Sequence, residues 1–536
     1  AKGVAPRIFY RSQRTNVNVD HIVKDLIDCN GFRVGIIGAG PAGFYTANSL
    51  LKDFTDLRKK NENLSLQIDI LERTPIGNGL VRSGVAPDHP EVKHVQNRFQ
   101  EFLTEAQTPL NKLNFFGNIN IGRSKSDNIS LSNSSLDISL PLLRNCYHSL
   151  VFCCGSEGER RLQIPGSTLD GVYSAGAFVR YYNAGLSDGT NIDFKDIDLS
   201  QTRKVAIIGH GNVALDAARI ILKGNKALEE TDITNRTLEL LKKSCIDEIH
   251  IFGRRGPAQA SFTNKELREL FEIDNCTVYI AKEDLTEINE ASTAEIKASR
   301  THKRMLAMML KKATLLPKAE IMDALNNRET DKSKKKCFIH FYSSPVEYQI
   351  SQNSPSQVNK IFFERTNLVG NVNEQRAQST GEKIQLSECG LVLESLGYFP
   401  IPILGIPFVS GKLLEFQGRI INKDKEHMEG LYASGWFKRG SSGIIGTNVW
   451  DAQETSRSLI SDLMLGKIPL LNRQPMYDGI YDLLKEKGLE SKVSSWQDWM
   501  KIESAEEKIG SQQTPPKPRE KFLTAREMND LTSKNE

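Results

Sequence analysis

Two glycine-rich hexapeptides, Gly38-Ala39-Gly40-Pro41-Ala42-Gly43 and Gly209-His210-Gly211-Asn212-Val213-Ala214, each follow directly on a β-branched apolar run. The runs are Arg33-Val34-Gly35-Ile36-Ile37 and Lys204-Val205-Ala206-Ile207-Ile208. Strand, glycine turn and helix in that order bind dinucleotides. The glycines (Gly38, Gly40 and Gly43 in the first turn) permit a tight bend and close backbone approach, and the helix N-terminus stabilises the pyrophosphate. The two units differ in how the next strand ends. After the first comes Glu72, a carboxylate that accepts hydrogen bonds from a ribose and repels a 2′-phosphate, so this site suits FAD or NAD. After the second come Arg254 and Arg255, whose planar guanidinium groups suit a 2′-phosphate, so NADPH is expected over NADH. One such site points to a dehydrogenase; two point to a flavoprotein fed by a nicotinamide.

The elements that must place these residues repeat one grammar. The first unit reads as a helix from Gly43 to about Lys52, a polar insert Asp53 to Asn63 and a strand Ser65 to Leu71. The second reads as a helix from Asn212 to about Leu222, a polar insert Lys223 to Ser244 and a strand Glu248 to Phe252. Alternating strands and helices imply parallel sheets, hence an α/β fold. Asp323 to Lys336 and Asn367 to Glu382 read as solvated insertions, and Thr514 to Lys521 as an extended tail segment. At 536 residues the chain exceeds a single core. A net charge of +4 makes no case for nucleic acid. The longest apolar stretches, Cys146 to Cys154 and the proline-broken Leu391 to Phe408, are too short to span a bilayer, which leaves at most peripheral membrane association. None of the eight cysteines forms a Cys-x-x-Cys pair, so neither a redox disulfide nor a bound metal is expected. The first 18 residues carry Lys2, Arg7, Arg11 and Arg14 and no acid, like an organellar transit peptide or its remnant within an N-terminal extension 1–30.

Two further segments are distinctive: Leu80-Val81-Arg82-Ser83-Gly84-Val85-Ala86-Pro87-Asp88-His89-Pro90 and Gly435-Trp436-Phe437-Lys438-Arg439-Gly440-Ser441-Ser442-Gly443-Ile444-Ile445-Gly446-Thr447. With Gly209 to Ile221, Gly253 to Leu270, Gly397-Tyr398 and Lys517-Pro518-Arg519-Glu520-Lys521, the chain from Phe32 to about Leu523 resembles the adrenodoxin reductase family. The resemblance implies two interleaved Rossmann-like three-layer domains of the glutathione-reductase type: FAD-binding parts 31–154 and 391–536 flanking an NADP-binding domain 155–390. By position it implies FAD contacts at Ala42, Glu72, Leu80, Ile121, Trp436, Gly443, Ile444 and Ile445, and NADP(H) contacts at His210, Gly211, Asn212, Val213, Arg254, Arg255 and Glu266. His89 and Asp216 match residues near the flavin and the cleft, with roles in proton movement or domain coupling. Arg268, Arg300, Lys303 and Arg304 match a basic surface offered to an acidic [2Fe–2S] ferredoxin. The implied activity is mitochondrial, in the matrix or at the inner-membrane periphery: NADPH-dependent reduction of an adrenodoxin-like ferredoxin for iron–sulfur assembly, haem chemistry or P450 hydroxylation. Two rival readings stay open, a quinone or other-acceptor reductase and a nucleotide-sensing flavoprotein without turnover. The chain departs from the family at Gly77-Asn78-Gly79, where the pattern has Pro-Phe-Gly, and at Ser441-Ser442, where it has Pro-Thr, which places loop rigidity in question.

Overall fold

All residues of the strands Phe32–Ile37 and Lys204–Ile208 are buried, as expected of central parallel strands covered on both faces. The computed structural model describes residues 19–59, 62–122, 129–132, 135–186, 198–326, 334–351, 354–468, 470 and 476–533. The basic stretch 1–18 and parts of the polar inserts at 53–63 and 323–336 lie outside them.

Each glycine turn belongs to its own seven-stranded sheet. In the first, Phe32–Ile37 lies between Leu66–Leu71 and Ser149–Phe152, all parallel, with Asn111–Phe116 beyond. The other flank comes from far along the chain: His427–Ala433 pairs in parallel with Ser149–Phe152, followed by antiparallel Arg419–Ile421 and Glu415–Phe416. In the second sheet the order is Thr314–Leu316, Cys276–Ala281, Lys335–His340, Glu248–Phe252, Lys204–Ile208, Cys389–Glu394 and Val172–Ser174, with every pairing parallel. Residues of the middle of the chain thus build the second sheet, while both ends of the chain build the first.

The structure refines four readings of the sequence. The first-turn helix runs Pro41–Arg58, six residues past Lys52, because Phe54 continues its buried stripe in the first core. Within the expected insert Lys223 to Ser244 lies a helix, Asn235–Lys242. Asn367 to Glu382 is solvated as expected but ordered: its ends fall on the antiparallel strands Ser354–Val369 and Arg376–Ser387, which extend a three-stranded sheet with Ser343–Ser351, and 370–375 is the turn between them. Ahead of residue 31, the helix Val19–Asp28 buries Ile22 and Leu26 in the first core, so the fold already begins inside the stretch assigned to the extension.

Candidate active site

At the first turn Gly38 has φ +109°, a conformation costly for any side chain. A Cβ on Gly43 would lie 2.0 Å from the Gly38 carbonyl oxygen, so helix and strand touch backbone to backbone. The helix Pro41–Arg58 starts at Gly40 with Pro41 in its first turn and no side-chain cap, which leaves its leading N–H groups for an anion. Glu72 ends the neighbouring strand, with Oε2 accepting from the Ala39 N–H at 2.8 Å and Oε1 from the Arg73 N–H at 2.9 Å. Burial pushes its carboxyl above the ordinary range, while the Ala39 and Thr74 amides and Arg73 pull it back. The carboxylate therefore lies beside the glycine turn, where a dinucleotide's ribose would reach it.

Leu80 is half exposed beside this turn, and Gly79 lies so close to Gly40 that a Cβ would meet its Cα at 3.1 Å. The departure Gly77-Asn78 has a structural reason. A Cβ at Gly77 would meet the Trp499 ring at 2.4 Å, and Asn78 takes φ +74°, which asparagine tolerates better than most residues. Ile121, expected as a flavin contact, is buried in the core with Ile37 and Leu71 and forms part of the wall behind the turn. Across the turn, the loop from Gly435 packs on the first-turn helix, a Gly435 Cβ meeting Ala42 Cβ at 2.4 Å. Trp436 Nε1 and Arg439 Nε both donate to the Ser442 carbonyl at 3.0 Å, and Ser441 Oγ donates to the Tyr398 carbonyl at 3.0 Å. The Ser441-Ser442 pair thus ties the loop by hydrogen bonds where the family pattern has Pro-Thr. Gly443 (φ +83°) and Ile444 stay exposed, and Ile445 packs toward the first core.

The second turn is more open. Gly209 (φ +130°) is pressed against the Ser395 carbonyl, yet nothing lies within 4 Å of a Cβ at Gly211. The helix Asn212–Lys223 starts here without a side-chain cap, Val213 is partly buried, and Asn212 Oδ1 fixes the next loop through the Thr263 N–H at 2.7 Å. His210 packs edge-on against Phe262 and Phe341, and burial lowers its pKa to about 4, so the ring is neutral at physiological pH. Arg254 and Arg255 are exposed, and among the described residues neither guanidinium has a hydrogen-bond or ion-pair partner. Their backbone is fixed all the same: the Arg254 carbonyl accepts from Thr366 Oγ1 at 2.7 Å and that of Arg255 from the Tyr342 N–H at 3.2 Å. Two unpaired cations on a rigid strand end beside an open glycine turn fit a phosphorylated ribose.

Between the turns runs a polar seam. His89 Nε2 lies 2.7 Å from Glu269 Oε2. Arg219, 1% exposed on the second-turn helix, binds Asp88 and Asp216 at 2.7 Å and Glu266 at 2.8 Å, and Lys223 joins Asp88 at 2.8 Å. Donor atoms of His89, Asp216 and Glu266 lie within 4.8 Å of one another. Burial, reinforced by Glu266, raises the Asp216 carboxyl to about 7 against the pull of Arg219. Arg219 and Asp88 were not singled out from the sequence; the available signal was an arginine on the buried stripe of an amphipathic helix. On the far side, Arg268, Arg300, Lys303 and Arg304 are all exposed without ion-pair partners among the described residues. They lie on two packed helices, Asn264–Phe271 and Arg300–Lys312, the latter capped by Ser299 and anchored by Met305 and Met309.

A doubly wound fold with an acid-ended and an arginine-ended glycine turn defines a two-dinucleotide flavoprotein oxidoreductase, binding FAD and NADP. No family model matches the chain. It is 36% identical over 500 residues to human "NADPH:adrenodoxin oxidoreductase, mitochondrial" (92% of this chain, 91% of the relative) and 35% identical over 499 residues to the Arabidopsis thaliana protein of that name (92% and 93%). It is also 35% identical over 437 residues to the "NADPH-ferredoxin reductase FprA" of Mycobacterium tuberculosis (81% and 84%). The solved structure of that FprA "in complex with NADPH" superposes with TM-score 0.76 at 30% identity, covering 94% of this chain and 99% of that one. The chain belongs to the NADPH:adrenodoxin oxidoreductase family.

Proposed function

We propose that this protein carries electrons from NADPH through FAD to an adrenodoxin-like [2Fe–2S] ferredoxin in the mitochondrion. The observation that carries the reading is the pair of differently ended turns in adjoining sheets: Glu72 beside the first excludes a 2′-phosphate, and the unpaired Arg254 and Arg255 beside the second attract one. The balance is NADPH plus two oxidised ferredoxins to NADP⁺, two reduced ferredoxins and one proton. FAD supplies the conversion of a hydride pair into single electrons.

The chain's own task is placement, because hydride transfer needs contact and orientation more than acid–base groups. Gly38, Gly40, Ala42, Gly43 and Glu72 hold the FAD pyrophosphate and ribose; Leu80, Trp436, Gly443, Ile444 and Ile445 close around the ring system, with Ile121 behind. His210, Gly211, Asn212, Val213, Arg254, Arg255 and Glu266 hold NADP(H). His89 and Asp216, bridged through Glu269 and Arg219, line the seam and couple the two domains or move protons there. The FAD domain takes residues 31–154, with the helix Val19–Asp28 packed on its core, and the chain after the strand Cys389–Glu394; the NADP domain runs from about 155 through that strand, a few residues past the boundary at 390 expected from sequence. Arg268, Arg300, Lys303 and Arg304 dock the acidic ferredoxin. No helix among the described residues is long and apolar enough to cross a membrane, in keeping with a matrix or peripheral site.

The test is an anaerobic titration of the yellow holoprotein with NADPH and, separately, NADH, followed by an oxidised [2Fe–2S] ferredoxin. NADPH-selective bleaching reversed by ferredoxin is the expected result. Bleaching that ferredoxin does not reverse moves the acceptor to another class.

A further inference from the structure

The segment Lys517-Pro518-Arg519-Glu520-Lys521, read from sequence as an extended tail, is buried: Lys517 is 5% and Lys521 3% exposed. Lysines this deep need partners; Lys517 pairs locally with Glu520, and the other partners lie on elements remote in sequence. Lys521 Nζ meets Asp232 Oδ2 at 2.8 Å and Asn183 Oδ1 at 3.3 Å. Lys517 Nζ donates to the Ile233 carbonyl and to Asn235 Oδ1, while Glu520 Oε1 accepts from the Asn235 N–H at 2.9 Å. The same Asp232 takes Lys93 Nζ at 2.6 and 2.7 Å. One carboxylate from the middle of the chain is thus gripped by a lysine from the first part and another from the C-terminal segment.

What the grip supports is residues 80–93, which carry Leu80 and His89. Arg82 forms a two-pronged pair with Glu506 at 2.6 and 2.8 Å, and Glu506 also accepts from the Phe522 N–H at 2.9 Å. Asn183, held by Lys521, donates to the Val85 carbonyl at 3.0 Å. His89 and Lys93 then face Glu269 and Asp232 across the seam. Apolar packing would bury such a contact at lower desolvation cost. Ion pairs fix direction and register instead.

We propose that Asp232 is a positioning residue for hydride transfer: clasped by Lys93 and Lys521, it lets the C-terminal segment set how the NADP turn meets the flavin turn. The proposal rests on the reading that NADPH reduces the flavin here, and wild-type bleaching tests that reading before any variant is made. Asp232 touches neither glycine turn, so its loss should leave nucleotide affinity in place while misaligning the rings, an error to which rates are steep.

The experiment compares holoenzyme of wild type, Asp232→Asn, Lys521→Met and the double variant by anaerobic stopped-flow bleaching, NADP⁺ titration, flavin spectrum and hydrogen exchange. The expected result for each single variant is bleaching slowed about tenfold or more, NADP⁺ affinity within about twofold of wild type and an unchanged flavin spectrum. Amides 517–522 should lose protection, the double variant should be no slower than the slower single, and Asp232→Glu should recover most of the rate. Wild-type bleaching rates with only a lowered melting temperature would overturn the proposal, as would affinity and rate falling in the same proportion. If Asp232→Asn fails to fold, Lys521→Met decides alone, and a wild-type rate in it overturns the proposal.

Discussion

The two glycine turns share a strand, a bend and a helix, yet the first is drawn tight and the second is held open. In the first, Gly43 brings the helix onto the Gly38 carbonyl and Glu72 reaches back to the Ala39 N–H, so the turn is braced by its own carboxylate. In the second, Ala214 stands where Gly43 would, no carboxylate reaches back to the turn, and the strand ends in two guanidinium groups without partners among the described residues. A braced turn suits a cofactor that stays; an open one with waiting charges suits a substrate that comes and goes.

Removing the charges should break the contrast most sharply. Arg254→Ala with Arg255→Ala forfeits two charge-assisted contacts, each worth about 1.5–3 kcal/mol, so the Kd for NADPH should rise at least a hundredfold while that for NADH stays nearly constant. Equal loss for both nucleotides, read by flavin-bleaching titration, would remove the 2′-phosphate assignment. Alanines at the closest glycine of the first turn and the most open glycine of the second come next. Gly43→Ala should cost about 3 kcal/mol in thermal or urea unfolding with loss of flavin, because its methyl has no room. Gly211→Ala, at φ −109° with open space around it, should leave stability within about 0.5 kcal/mol but crowd the pyrophosphate and weaken NADP⁺ binding. If the two behave alike, the difference in tightness is not real.

A smaller effect tests the outer surface. Charge reversal at Arg300 and Arg304 should raise the KM for ferredoxin about tenfold at low salt and leave reduction of a small artificial acceptor intact. Parallel loss of both reactions would place these residues elsewhere than in docking. The smallest effect is that of acid. In the second region His210, His250 and His340 are kept neutral by burial, His210 down to about 4. The unfolded chain binds these protons from about 6.5 downward, so stability falls as pH drops below about 6.5, at His210 by at most about 1.4 kcal/mol per unit toward 4. Asp216 works the other way: its folded carboxyl keeps a proton up to about 7, adding stability that is full below its unfolded value near 3.8 and lost as pH rises through 7. Hydrogen exchange at pH 7.5 and 5.5 should therefore show the second sheet loosening by a modest net amount; an unchanged profile would mean that the histidines titrate alike folded and unfolded.

Both turns and their strands were legible, because apolar runs ending in glycine have few other uses: Leu66–Leu71 and Glu248–Phe252 lie within a residue of expectation. The hairpin at Arg376–Ser387 was not. Its strand is exposed over most of its length, so Gln378, Ser379 and Glu382 hide the alternation that marks a half-buried strand. The buried charges were illegible for a different reason. Lys93, Arg219, Lys517 and Lys521 are of types that composition places at the surface, and only the three-dimensional meeting with Asp88, Asp232 and Asn235 accounts for their burial. The glycines and Glu72 were legible because the backbone of a strand–turn–helix unit fixes their places, whereas the burial of Ile121 with Ile37 and Leu71 has no such local signal.

The pairing of Ser149–Phe152 with His427–Ala433 also has a consequence during synthesis. As the chain leaves the ribosome, the first sheet stops with one flank bare, its strand edge open to solvent, until more than 250 further residues have been made. The second sheet, whose strands all lie between Val172 and Glu394, has everything it needs before then. The nascent protein should thus mature from its middle outward, and the half waiting longest is the one whose cofactor it must capture last, a window in which chaperone protection counts most.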